Sequence, residues 1–435
     1  NNNNFHFFKP FLNKYNIPKK MSIVYGENGI GKSNLVSAFY FLTETLHTMD
    51  VRDIVQNILK STPDEIPDEE FISFVKRRFK DTEALINEYK MVQSDENLYL
   101  EFGFILDGKK GMYTLEMNNN EVVEESLEYF LSKRRGKYFQ ISKDKIFLSD
   151  KVFLDGELIN NLHSLINQFW GKHTFLSLLL YDISEKSNMY YKDKLSQYLN
   201  TVISFMTNIS CKIKCGNTQE QGILSTSSTF RILHQLFEGK IKIEERTRLD
   251  QNEKMLRCFL TTLNSDIKDV FYKRVSHRQE IQYQLYIKKI ICGKKRELNF
   301  NLESTGTQRI IELLPYMMLV TTGATVVIDE FDLGMHDLMV QNLITSLGKS
   351  VRGQLIITTH NTLLMESNLP AECFYVINES KEGNKEIECI LKYDNKIGPK
   401  TNIRNQFYLG KYHGIPDKFE IDFRRLMDIL DKKSN

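Results

Sequence analysis

Nowhere does this sequence hold about eighteen uninterrupted apolar residues, the length a membrane-crossing helix needs. The nearest approach, residues 313–328, contains Pro315 and the turn-prone Thr321-Thr322-Gly323 and reads as helix, turn and buried strand. Charge of one sign is lacking as well. The 58 Lys and Arg against 56 Asp and Glu leave a net charge of +2, so no global basic excess announces nucleic acid or an anionic membrane. Local basic clusters stand at Lys76-Arg77-Arg78, Lys133-Arg134-Arg135 and Lys294-Lys295-Arg296, and solvated faces are the plain account of them. The six cysteines are scattered. Cys211-x-x-x-Cys215 is the one close pair, with no second pair or nearby His to complete a zinc site. Reduced structural cysteines in a cytoplasmic protein are expected. Residues 1–8 show no signal-peptide pattern, and no internal repeat or long low-complexity segment occurs.

What is present begins with length. At 435 residues with 41% hydrophobic content, the chain can bury a large core, as two to three domains or as one domain with insertions. The most informative stretch is Gly26-Glu-Asn28-Gly29-Ile-Gly31-Lys32-Ser33-Asn34, directly after the apolar run Ser22-Ile-Val-Tyr25. It fits G-x-x-x-x-G-K-[ST], a phosphate-binding loop between a buried strand and a helix. The glycines let successive backbone N–H groups turn inward around phosphates. Lys32 can reach the β- and γ-phosphates, Ser33 can ligate Mg²⁺, and the following helix N-terminus favours an anion.

The layout divides the chain into an N-terminal half of a nucleotide-binding head at 1–50, a helical insertion at 51–95 and an antiparallel β subdomain at 96–156. A helical arm or lid at 157–275 and the C-terminal half of the head at 276–435 complete it. The β subdomain rests on a hairpin signal, residues 97–106 and 112–117 around Asp107-Gly108, with partial period-2 alternation. From residue 302 onward helix and buried strand alternate, as in a parallel α/β sheet.

Further motifs complete a site. The apolar run 324–328 ends in Asp329-Glu330. Behind a phosphate loop the first acid holds the Mg²⁺ shell, and the second can orient and deprotonate a water. Alone, an acid pair after a strand is commonly a surface turn. A further strand, 354–359, ends at His360, 31 residues after Asp329. A neutral imidazole there can hydrogen-bond the γ-phosphate or the attacking water; the plain alternative is a polar strand cap. Ser304-Thr-Gly306-Thr-Gln-Arg309 opens an apolar helix, and it offers either a second anion site or a simple N-cap.

Together Gly26–Asn34, Ser304-Thr-Gly-Thr-Gln-Arg309, Ile328-Asp-Glu-Phe-Asp332 with His336, and Thr358-Thr-His-Asn361 resemble the ABC-type ATPases of the SMC/RecF/OLD group. Within it they are similar to the AAA-annotated ATPases of prokaryotic anti-phage systems, the PARIS-type and abortive-infection ATPases. The tail Tyr408-Leu-Gly-Lys-Tyr-His-Gly-Ile-Pro416 is similar to an ending of that branch. The resemblance covers roughly 20–48 and 300–416. It implies an ABC-type P-loop head with a mixed sheet, an antiparallel β subdomain and an inserted helical arm. It further implies ATP and Mg²⁺ as ligands, Glu330 as base, and Ser304 and Gly306 closing over nucleotide held by a neighbouring protomer, so that a homo-oligomer of at least two chains forms. The signature departs from the family's Ser-Gly-Gly-Gln, and no convincing Q-loop glutamine is found, Gln93 and Gln140 being the candidates. Only 75 residues follow His360, fewer than the nuclease domain of OLD-type proteins, so the expected effector, a Toprim- or HNH-type nuclease, is a separate chain, with a phage protein as a possible trigger. The competing expectations are an SMC/RecF-like ATPase of DNA repair that clamps DNA, and a nucleotide-gated scaffold with negligible turnover. A transporter subunit fits poorly, because about 270 residues separate the loop from the signature.

Overall fold

A computed structural model of the chain describes residues 5–6, 18–50, 80–186, 188–191, 193–215, 219–224, 233, 235–277, 279–381, 383–394, 397–398, 401–415 and 420–431. Among the described residues the protein is a mixed α/β structure built on three sheets. The largest has eight strands, and β2 (Met21–Tyr25) lies inside it, between β15 (Gln354–Thr358) and β16 (Phe374–Glu379). Beyond β15 come β14 (Thr325–Ile328), β8 (Ile209–Cys215) and β9 (Gln219–Ile223); beyond β16 come β17 (Lys385–Cys389) and β1 (Phe5–His6). The inner strands β16, β2, β15, β14 and β8 run parallel, whereas β17 pairs antiparallel with β16 and β9 antiparallel with β8, and β1 lies parallel to β17.

Parallel strands covered on both faces read as continuous apolar runs, and β2, β14 and all but the first residue of β15 are buried accordingly. Their side chains alternate between two cores. Ile23, Val326, Ile328, Leu355 and Ile357 enter one, and Val24, Val327 and Ile356 the other. The first core is closed by α8 (Thr305–Thr322) and α9 (Asp337–Gly348), the second by α1 (Lys32–Thr45).

Each smaller sheet extends one of these cores. The antiparallel sheet β3 (Leu98–Leu106), β4 (Lys109–Met117), β5 (Val122–Phe130), β6 (Arg135–Ser142) and β7 (Lys145–Leu148) joins the α1 side. Its first hairpin turns at Asp107 and Gly108, with φ of 49° and 72°, the positive pair that a two-residue hairpin turn demands. The sheet β10 (Glu238–Lys242), β12 (Glu280–Ile291) and β11 (Ile267–His277), with β13 (Lys294–Asn299) beside β12, joins the α8 side under α7 (Arg246–Leu263).

Of the insertion expected at 51–95, residues 51–79 lie outside the described residues, as does the cluster Lys76-Arg77-Arg78. The helix α2 (Thr82–Tyr89) packs Leu85 and Ile86 on the α1 side and is capped by Asp81.

The span 157–275 differs from the arm expected there. It holds α3 (Gly156–Phe169), α4 (Phe175–Glu185), α5 (Asn188–Tyr191) and α6 (Gln197–Thr207), but also β8, which pairs with β14 inside the main sheet, and then β9 and β10, with β11 beginning at residue 267. The period-2 apolar signal of β8 is only a few residues long, Ile209, Cys211 and Ile213, all buried together with Ser210, and helical neighbours mask it. Among the described residues no helix is long and apolar enough to cross a membrane.

Candidate active site

The parallel strands β2, β15 and β14 end on the same edge, where open α/β sheets collect their ligands. The loop 26–31 leaves β2 and turns into α1 through Gly29 and Gly31, whose φ values of 78° and 111° a side chain would disfavour. At Gly26 a Cβ would stand 2.8 Å from Ile30 Cγ2, so this position is closed to larger residues without local movement. Asn28 and Gly29 are exposed at the loop tip, and Asn34 is exposed on the first turn of α1.

Lys32 is buried, and its Nζ donates to the carbonyls of Gly26 and Glu27, each at 2.8 Å. Burial lowers its pKa, opposed by the nearby charges of Asp329, Glu330, Asp332 and Glu27. Those interactions place the loop lysine and the acidic strand tip in one neighbourhood.

Asp329, following β14, is buried, and burial raises its pKa, while the side chains of Thr358 and Ser33 act in the opposite direction. Its Oδ1 accepts from Thr358 Oγ1 at 2.6 Å. Its Oδ2 is buried and, among the described residues, has no hydrogen-bond partner. An orphaned carboxylate oxygen beside a serine hydroxyl is a donor set that suits a hard dication. Glu330 is half-buried with φ of 44°, unusual for a residue with a side chain. Its N–H donates to Thr358 Oγ1 at 2.9 Å, and Arg309 Nη2 approaches its carbonyl at 3.4 Å. His360 follows β15 with its side chain exposed; partial burial lowers its pKa, Lys32 adds to this, and Asp332, Glu330 and Asp329 oppose it.

Ser304 and Gly306 belong to the start of α8. Ser304 is the exposed N-cap of α8, its Oγ accepting from Thr307 N at 3.3 Å and bonding Thr307 Oγ1 at 2.9 Å. A Cβ on Gly306 would lie 2.6 Å from the Gly334 carbonyl, in the segment that follows the acidic strand tip. The signature-like turn therefore packs on residues 334–335, and Arg309 one turn later touches Glu330.

A family model described as "AAA domain, putative AbiEii toxin, Type IV TA system" matches residues 21–366, most of the chain. The chain belongs to that family. Solved structures similar to this AAA-domain protein include an SMC head bound to the C-winged helix domain of ScpA, at TM-score 0.39 and 13% identity over 85% of this chain and 90% of that one. An SMC head domain from Thermotoga maritima is similar at TM-score 0.34 and 13% identity, over 85% and 89% of the two chains. An Smc head with an extended coiled coil, bound to the C-terminal domain of ScpA and derived from Pyrococcus furiosus, has TM-score 0.34 and 11% identity over 85% and 90%. No curated protein matches the sequence.

Several contacts of this AAA-domain protein lay beyond sequence reasoning. Thr358 stands in the sequence in the Thr358-Thr-His-Asn361 motif with no role of its own, yet it joins Asp329 to Glu330. The signal available was a hydroxyl at the end of an otherwise aliphatic run. Lys212 of β8, whose carbonyl accepts from Asp329 N at 2.8 Å, belongs to a strand that was not expected. Asn361, next to His360, caps the following turn through Leu363 N and donates to the Asp337 carbonyl, while its own carbonyl accepts from Tyr25 OH. Of the two glutamine candidates, Gln140 lies in β6 and donates to Glu124, and Gln93 sits in an exposed turn with φ of 61°.

Proposed function

We propose that the protein is a Mg²⁺-dependent ATPase whose loop Gly26–Ser33 holds ATP and whose Glu330 acts as general base. The observation that carries this is the buried, unpartnered Asp329 Oδ2 beside Ser33 and Lys32. Ser33 and Asp329 would hold the ion, Ser33 directly and Asp329 directly or through its water shell. Held there, Mg²⁺ would supply positive charge against the negative charge that develops on the phosphates. Lys32 exchanges its two loop carbonyls for phosphate oxygens, and the backbone N–H groups of 29–33 cradle the anion. Glu330, its N–H held by Thr358 and its charge acting on Lys32 and His360, takes a proton from the attacking water. His360, its pKa lowered by burial, supplies a neutral imidazole that bonds the γ-phosphate or the water.

In this proposal Ser304 and Gly306 serve a neighbouring protomer. Ser304 is exposed at the start of α8 and Gly306 is half-buried against Gly334, and the hydrogen bonds of Ser304 run to Thr307 rather than to the loop 26–33. Turnover then requires association of at least two chains. The family description names a toxin of a toxin–antitoxin system, which supports placing this switch in anti-phage abortive infection, acting in the cytoplasm on a separate Toprim- or HNH-type nuclease. Two measurements test the reading. Glu330→Gln should retain ATP and abolish its turnover; unchanged turnover overturns the base. Purification from infected cells should bring down a nuclease chain; recovery of DNA-repair proteins instead, with turnover stimulated by DNA, favours the repair alternative.

A further inference from the structure

We propose that Thr358 is a positioning residue: one hydroxyl binds the cation-facing carboxylate of Asp329 and the backbone that carries Glu330 into a single unit. The inference rests on the ATPase reading above and concerns a residue that reading does not use for chemistry.

Thr358 is the last residue of β15 and is fully buried. The parallel register pairs Ile328 with Ile357, so Asp329 and Thr358 stand together at the next step. The direction of each hydrogen bond is forced. The Glu330 N–H can only donate, so Thr358 Oγ1 accepts it at 2.9 Å. A threonine hydroxyl has a single proton, which goes to Asp329 Oδ1 at 2.6 Å, a length typical of a hydroxyl donating to a carboxylate. The Thr358 carbonyl also accepts from Phe331 N at 3.0 Å. One residue thus grips three consecutive positions of the neighbouring strand tip.

Two consequences follow. With Oδ1 committed to Thr358, the carboxylate keeps its other oxygen, Oδ2, unpaired, which selects the oxygen that meets the ion or its water. And Glu330, at φ of 44°, is held in a conformation that residues with side chains seldom adopt unless their surroundings impose it. Without the hydroxyl, Asp329 is free to rotate and Glu330 to relax, so the ion site and the base are disturbed together.

The test compares Thr358→Val, which keeps the branched shape without the hydroxyl, with Thr358→Ser, which keeps the hydroxyl. The full-length proteins are titrated with Mg²⁺ while binding of a fluorescent ATP analogue is followed, and turnover is measured on the same preparations. For Thr358→Val the half-saturating Mg²⁺ concentration should rise about 10–100-fold, the usual effect of losing a partner that orients a metal ligand, with kcat falling at saturating Mg²⁺. Thr358→Ser should stay within about threefold of wild type. If Thr358→Val does not fold, Thr358→Ala takes its place. A serine variant as impaired as the valine variant, or a valine variant with the wild-type Mg²⁺ curve, overturns the role of Thr358. If wild type binds no ATP, or binds it without regard to Mg²⁺, the ATPase reading itself falls.

Discussion

Lys32, Asp329 and Glu330 differ in what their side chains can lose. Lys32 already spends two hydrogen bonds on loop carbonyls, so replacing it removes a loop brace as well as the proposed phosphate ligand. Lys32→Ala should abolish nucleotide binding, as checked by equilibrium binding of a fluorescent ATP analogue. Glu330→Gln conserves size and the backbone contact to Thr358 and removes only basicity. Its turnover should fall by about 10²–10⁴-fold with binding retained, measured by phosphate release. Ser304 shows why a motif letter has two meanings. It caps α8, so Ser304→Ala should cost about 1 kcal/mol in chemical denaturation, whatever else it does to turnover. The sequence displayed all four of these residues. It hid Thr358, because a hydroxyl at a strand end becomes significant only once the adjacent strand is known.

At the scale of elements, the joint between the five-stranded sheet and α4 is held by a buried carboxyl group. Glu125 in β5 is fully buried and accepts from Tyr113 OH, Trp170 Nε1 and the backbone N–H groups of Phe175 and Leu176 at the start of α4. Burial outweighs these donors and pushes its pKa up from 4.5 to about 7. The folded state therefore holds the proton more tightly than the unfolded chain. The resulting stabilisation is complete below pH 4.5 and is lost as pH rises towards 7. Thermal melts of wild type should show this decline, and Glu125→Gln should lack it; parallel curves for the two proteins would contradict the assignment. The hairpin of β3 and β4 was legible because Asp107-Gly108 states its own turn type. The strand β8 was not, since a strand of a few residues is stabilised by the sheet it enters more than by its own pattern.

For the whole molecule, the question is how the two halves of the proposed site meet. The loop 26–33 lies at the tips of the central strands, and the Ser304 turn packs on Gly334 behind the acidic tip. If the turn completes the site of a second chain, two inactive variants should rescue each other. Lys32→Ala and Ser304→Arg proteins, each inactive alone, should regain about a quarter to a half of wild-type turnover when mixed, because mixed pairs restore one intact site. Absence of rescue, with both variants folded, would show that Ser304 acts within its own chain or not at all.

The sequence by itself determined the local chemistry: a phosphate loop, an acid pair at a strand end, a histidine at another, and an alternation of helix and apolar strand that requires an α/β sheet. Such features are legible because each depends on residues within one turn or one strand. Tertiary structure alone decided the order of the strands, the entry of β8 beside β14 and the sharing of one hydroxyl between Asp329 and Glu330. These depend on which separate segments bury each other's apolar faces, and contacts between segments tens to hundreds of residues apart leave no periodic trace in either partner.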